Sequence, residues 1–182
     1  MFTLVTSNKE KVHFAKIALD QVHIQFDVVS LPLIEIQADT PEEIILHKAG
    51  QAYAELKKPV VVNDHWWSFP ALGGFPGPYM HFMNDHLTAD DLIRIMGGKE
   101  DRRAILTESI CYKDKERVKI FTQEREGEIL LAPQGDGVPG QRVISLSHDG
   151  LSIAAHLNRG TDPEGIRERK VWKELAAWLK NH

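Results

Sequence analysis

The segment Thr6-Ser7-Asn8-Lys9-Glu10-Lys11 joins short hydroxyl and amide side chains, which cap helices, to lysines that can meet an anion. If it links a strand to a helix, its backbone N–H groups and the positive end of the helix dipole can hold a phosphate, with Lys11 adding a mobile charge. The same residues also describe an ordinary capped helix with surface lysines. Glu35, Glu43 and Asp64 offer hard oxygen donors of the kind Mg2+ takes alongside phosphates and water. Glu43 is already explained by a capping box, Thr40-Pro41-Glu42-Glu43, and Asp64 can be a turn residue. Glu35 has no such structural explanation. His65-Trp66-Trp67 puts two large aromatics beside Asp64, either as core or as a stacking platform. The nine histidines include no H-E-x-x-H, and G-x-G-x-x-G, G-x-x-x-x-G-K-[ST] and G-x-S-x-G do not occur. Zinc, dinucleotide, P-loop and serine-nucleophile chemistry lose their usual signatures, leaving carboxylates and metal.

These groups need elements to position them. Residues 2 to 6 read as a strand, and Val12, Ala15, Ile17, Ala18 and Leu19 as the helix that follows the Thr6–Asn8 cap. His23 to Leu33 reads as a second strand ending near Pro32. Ile44, Ile45, Ala49, Ala52 and Leu56 predict a helix through about residue 56, with Pro41 at its first position. Val60-Val61-Val62 is a β-branched run suited to a strand buried on both faces, predicted to deliver Asn63 and Asp64 at its end. Leu72 to Pro78 is too rich in glycine and proline for regular structure, and helical spacing resumes from Tyr79 to Met96, with a break near Asp85. Ala104 to Tyr112 and Arg117 to Arg125 read as a hairpin, Gly127 to Leu131 as its continuation, Pro133 to Asn158 as short irregular pieces, and Glu164 to Lys180 as a terminal helix. With no repeat or linker, the reading is one α/β domain over residues 1–182 with a mixed sheet.

Composition narrows the function classes. Lys and Arg number 22 against 26 Asp and Glu, a net charge of -4, so no global basic footprint for a nucleic-acid polymer exists. The lone Cys111 cannot form an intrachain disulfide. The short apolar start reaches polar Thr6 too soon for a signal peptide, and no apolar run approaches membrane-spanning length. A cytoplasmic protein with no membrane partner is expected.

In one order, these pieces resemble the inosine triphosphate pyrophosphatase family. Thr6 to Lys11 resembles its T-G-N-x-x-K phosphate loop, Leu33 to Gln37 the segment of its metal glutamate, and Glu43 to Ala49 its E-x-x-x-x-K-A helix. Pro59 to Asp64, followed by Phe69 to Tyr79, resembles its buried strand, acidic turn and A-L-x-G-x-P-G-x-Y loop. The likeness is strong over the first half and weaker beyond. It implies an elongated, mixed, twisted sheet with flanking helices, two lobes around a cleft near Asn8, Asp64 and the Gly73–Tyr79 loop, and a homodimer with Gly73 to Met83 near the partner or the rim. It also implies Mg2+-dependent (or Mn2+-dependent) hydrolysis of a nucleoside triphosphate to monophosphate and pyrophosphate. By resemblance Thr6, Ser7, Asn8, Lys11 and Lys48 hold substrate phosphates, His65 and His81 also face substrate, Glu35 and Asp64 bind metal, and Asp64 is the candidate base.

The chain departs from that pattern in places. The turn that is usually acidic-Asp-Ser/Thr reads Asn63-Asp64-His65, so returning an acid at 63 is predicted to raise activity if its absence limits catalysis. His81 stands where a lysine is usual. The F-G-[WY]-D element aligns with Pro139-Gly140-Gln141-Arg142, and the S-H-R motif finds only an arginine near Arg167 to Lys170. Three readings follow: a pyrophosphohydrolase of changed base preference, a catalytically weak or inactive nucleotide-binding relative, and a purely structural protein.

Overall fold

The computed structural model describes residues 1–161 and 170–181. In chain order the elements are β1 (Phe2–Val5), α1 (Lys9–Asp20), β2 (Phe26–Val29), α2 (Pro41–Leu56), β3 (Val60–Ser68), a 3-10 turn (Pro70–Leu72), β4 (Pro76–Gly77), α3 (Met80–His86), α4 (Ala89–Ile95), β5 (Arg103–Lys113), β6 (Val118–Ile129), α5 (Pro139–Val143), β7 (Ile144–Ser145), α6 (Ile153–Asn158) and α7 (Lys170–Lys180). The sheet is mixed and seven-stranded, in the order β2-β1-β3-β5-β6-β7 with β4 paired to β3. β1 runs parallel to both β2 and β3, whereas β3–β4 and β6–β7 are antiparallel. The α/β class and mixed sheet are as the sequence predicts.

Two boundaries differ, for reasons of pairing. β2 is only four residues long because its whole partner is β1, Phe2↔Phe26 through Val5↔Val29. β3 outlasts β1: its start pairs with Thr3 and Leu4, and its far end pairs Trp67↔Gly77 and Ser68↔Pro76. Asn63 and Asp64 therefore sit within the strand, past the parallel pairing, and not in a turn at its end. α5, unread in the sequence, starts on Pro139, and the start of the predicted Glu164–Lys180 helix lies outside the described residues.

The chain forms two compact units. The first holds Met1–His65, Glu108–Gln123 and the described part of the C-terminal segment. Here strand alternation sorts side chains onto two faces. Phe2, Leu4, Val61, Ile110 and Tyr112 face Ala15 and Leu19 of α1 and Val171, Trp172 and Leu175 of α7. Val5, Val60, Val62 and Cys111 face Ile45, Ala49 and Ala52 of α2. That is why Val60–Val62 is apolar at every position. The second unit has its own core of Phe69, Met83, Leu92, Met96, Ile129 and Ile144, with Trp67 packed against it. Trp66 lies over Gly77, where a Cβ would come within 2.9 Å of its ring. Helical spacing after Tyr79 breaks at Leu87-Thr88, where Thr88 and Asp91 make both halves of a capping box; at α2 Thr40 accepts from the Glu43 N–H.

The β5–β6 hairpin is tied by one carboxylate. Asp114 Oδ1 accepts from the Glu116 and Arg117 N–H groups (2.9 and 2.7 Å), and Oδ2 from Tyr112 Oη (2.9 Å) and Arg117 Nη2 (2.6 Å). Burial opposes its charge, but Arg117 and these donors hold the carboxyl well below the usual range. A depressed folded pKa stabilises above the unfolded value of about 3.9 and is lost as pH falls toward the folded one. Asp114→Ala should cost about 2–3 kcal/mol in urea unfolding at pH 7, and the gap from wild type should narrow below about pH 4.

Candidate active site

Four charged side chains meet in the first unit. α1 begins where the sequence predicts: Asn8 Oδ1 accepts from the Glu10 and Lys11 N–H groups at 2.8 and 3.3 Å, and the Asn8 N–H donates to Thr6 Oγ1 at 3.1 Å. The cap is thus built, with Ser7 and Asn8 exposed beside it. One turn into the helix, Lys11 reaches back to β3, its Nζ donating to the Asn63 carbonyl oxygen at 2.9 Å and lying 3.7 Å from Asp64 Oδ1. From α2, Lys48 Nζ donates to Asp64 Oδ2 at 2.8 Å and to Glu35 Oε1 at 2.6 Å.

Glu35 lies in the irregular stretch between β2 and α2, and a residue the sequence reading missed holds it there. Gln51, one turn after Lys48 on α2, donates to the Ile34 carbonyl (2.8 Å) and accepts from the Ile34 N–H (3.0 Å). Its side chain copies a backbone hydrogen-bond pair, a role invisible without knowing that residues 34 and 51 meet. Glu43 takes no part in this cluster's hydrogen bonds; its N–H serves the Thr40 cap.

The two lysines are not equivalent. Burial depresses Lys11, and the Lys48 charge adds to that, with Asp64 opposing. Burial would also depress Lys48, but direct contact with Asp64 and Glu35 leaves it above the ordinary lysine value. For Asp64, burial favours the neutral form, yet Lys11, Lys48 and the His65 N–H (2.9 Å) outweigh it and keep the carboxylate ionised. Both Asp64 oxygens are engaged, and each retains lone-pair capacity for one more partner. A cavity of about 390 Å³ lies elsewhere in this unit, beside Met1, His23 and Lys180, without a carboxylate among its lining.

A second missed residue is Glu108 on β5, whose side chain is 1% exposed. Its Oε1 accepts from Asn63 Nδ2 at 3.1 Å and lies 3.5 Å from His65 Nε2. Asp64 is therefore not the only acid at this place, as its neighbours in sequence suggest. A signal was available: Thr107-Glu108-Ser109 puts three buried polar residues inside a strand otherwise carrying Ala104, Leu106, Ile110 and Cys111.

The order of these residues along the chain matches a known pattern. The Ham1 family pattern covers residues 2–141, well over half of the sequence. The chain belongs to the Ham1 family. Similar Ham1-family relatives include a dITP/XTP pyrophosphatase of Methanopyrus kandleri, 30% identical over 97% of this chain and 95% of the relative. The dITP/XTP pyrophosphatase of Hyperthermus butylicus is 26% identical over 98% and 94% of the two chains. Inosine triphosphate pyrophosphatase 1 of Trypanosoma cruzi is 37% identical over 74% of this chain and 69% of the relative. In fold, the Ham1 protein of Staphylococcus aureus superposes with a TM-score of 0.76 at 21% identity, covering 100% of this chain and 99% of that one. That of Coxiella burnetii gives 0.78 at 18%, with 100% of both chains covered.

Other sequence-stretch expectations fall in the second unit of this Ham1-family chain. His81 is exposed on α3, 3.5 Å from Asp85. Pro139 to Arg142 forms most of α5, and the buried Gly140, whose N–H donates to Asn84 Oδ1 at 2.8 Å, packs against the flexible end of Met80. Arg142 Nε is committed to the Gly135 carbonyl at 3.0 Å. Arg167 to Arg169 lie outside the described residues. Between β7 and α6, Ser147 Oγ donates to Asp149 Oδ1 at 2.7 Å, and His156 Nε2 lies 3.1 Å from Asp149 Oδ2. The Ser147 hydroxyl and the Leu151 N–H hold that aspartate down to about 2.

Proposed function

We propose that this Ham1-family chain is a nucleoside-triphosphate pyrophosphatase that releases the monophosphate and pyrophosphate with the help of a divalent cation, Mg2+ or Mn2+. The observation that carries the reading is the linked cluster in which Lys11 and Lys48 both reach Asp64 and Lys48 also grips Glu35, at 3.7 Å or less in each link. Hydrolysis of a phosphoanhydride needs neutralised phosphate charge and an aligned water, and needs no covalent intermediate.

Glu35 and Asp64 fit a hard cation: their oxygens already grip one cationic atom, Lys48 Nζ, from two sides. Among the described residues no group of three or more His, Cys, Asp or Glu gathers to hold a metal, so water and phosphate would complete the shell. Once bound, the cation would neutralise phosphate charge and lower the pKa of a coordinated water. The chain's own residues do the rest. Lys11 and Lys48 turn to the phosphates, and the half-buried Thr6 and the exposed Ser7 and Asn8 flank them at the start of α1. As the lysines turn, the pull that depresses Asp64 weakens, so the carboxylate becomes a better acceptor for the water proton when substrate is present. His65 stands beside it.

We place the protein in the cytoplasm, where its single buried thiol, Cys111, pushed up to about 12 by burial, stays inert. No helix among the described residues is long and apolar enough to cross a membrane. A homodimer is proposed through the Gly73–Met83 region, where Phe75, Tyr79 and Phe82 are exposed and Met83 is buried. The deciding experiment is pyrophosphate release across standard and deaminated nucleoside triphosphates, with and without Mg2+, run beside sedimentation velocity. Metal-dependent release from at least one triphosphate is expected at dimer mass. Background release throughout would leave the nucleotide-binding reading, and a monomeric mass would reject the dimer.

A further inference from the structure

Glu108 has no part in the reading above, and its placement asks for one. A carboxylate removed from water is costly unless charged or polar partners compensate. Among the partners of Glu108 are the two chain neighbours of Asp64: Asn63 Nδ2 at 3.1 Å and His65 Nε2 at 3.5 Å from the same Oε1. Asn63 Nδ2 also lies 3.4 Å from the Ser109 carbonyl oxygen, which fixes the amide plane against β5. The main chain of Asn63 meanwhile accepts from Lys11 Nζ. One buried acid on the adjacent strand thus holds the residue before Asp64, the residue after it, and, through the Asn63 backbone, the seat of Lys11.

We infer that Glu108 is a positioning residue of this site, gripping Asn63 and His65 from β5 so that the Asp64 carboxylate is fixed between Lys11 and Lys48. The inference rests on the pyrophosphatase reading for its kinetic consequence but not for its effect on cation binding. Asp64 in β3 has no backbone turn to set its direction; its direction follows from how its two neighbours are tied, and Glu108 is the group that ties both.

The test uses two readouts on the full chain: steady-state pyrophosphate release, and Mn2+ binding followed by the EPR signal of the free ion. Glu108→Gln keeps the size and an acceptor for Asn63 Nδ2 while removing the charge. It should lower kcat by about 10–100-fold, with KM for the triphosphate moving less than about threefold, and weaken Mn2+ binding by about tenfold. Asn63→Asp/Glu108→Gln moves the carboxylate across the same hydrogen bond, and recovery of most of both losses is expected. A merely structural role would lower the melting temperature without that kinetic split or rescue. If wild type is active and Glu108→Gln matches it in kcat and Mn2+ affinity, or changes KM alone, the inference is overturned and the pyrophosphatase reading stands. If wild type releases no pyrophosphate, that reading fails, and Mn2+ affinity decides Glu108 by itself. A wild type that neither turns over nor binds Mn2+ overturns both. Should Glu108→Gln not fold, the double variant decides: folded with wild-type Mn2+ affinity it supports the inference, and unfolded it overturns it.

Discussion

Asp64→Asn is expected to lower kcat by about 10²–10⁴-fold, with the chain still folded. Asparagine keeps an oxygen that can accept from Lys48 Nζ or the His65 N–H, now at 2.8 and 2.9 Å, so the local hydrogen bonds largely survive. What disappears is the negative charge. Without it Lys11 loses its 3.7 Å partner and Lys48 is left with Glu35, one of the two carboxylates proposed for the cation is gone, and so is the proposed acceptor for the water proton. The stability loss should stay within about 1–3 kcal/mol, because Asp64 is partly exposed, asparagine keeps a hydrogen-bond acceptor, and Lys48 retains Glu35. Lys11→Ala is the comparison that separates binding from chemistry. It removes a charge from the phosphate side, and an affinity loss of about 1.5–3 kcal/mol for triphosphate is expected if its contact is direct. Single-turnover rates and equilibrium binding on both variants decide. Equal residual turnover in wild type and Asp64→Asn would sink the assignment of Asp64.

Asn63→Asp alone is expected to destabilise the protein by about 3–5 kcal/mol and to reduce activity. From sequence, an acid at 63 is a gain, since it restores the family's usual pair of acids. The neighbouring strand reverses the sign. Asn63 is 5% exposed, and its Nδ2 donates to Glu108 Oε1 at 3.1 Å. An aspartate there would replace a donor by an acceptor and set two buried carboxylates in contact, so one must take a proton or the strands must part. Chemical unfolding at pH 7 measures the cost. Lowering the pH should recover part of it, because protonating one of the pair restores a hydrogen bond, whereas wild type gains nothing comparable. A variant as stable as wild type at pH 7 would show that the two side chains do not meet.

Local chemistry made much of this protein legible in its residues alone. Caps and helix starts depend on neighbours three or four positions away, so Thr6 to Lys11 and Thr40-Pro41 announce α1 and α2 directly. Burial on both faces leaves its mark in every residue of Val60–Val62, and Lys48 is placed by its turn of α2. The residue types of the site, two lysines and two carboxylates, were therefore readable, as was the family order they follow. Tertiary structure decided how they meet. Lys11 and Asn63 are 52 positions apart, Asn63 and Glu108 45 apart, and Ile34 and Gln51 17 apart. Such pairs depend on which strands adjoin and in what register, which no local pattern encodes. The same holds for boundaries: β2 stops where β1 stops, and β3 runs on because β4 pairs with its far end. That extension carries Asp64 into a strand, and strand adjacency brings in Glu108, whose partner Asn63 lies 45 positions away in the chain.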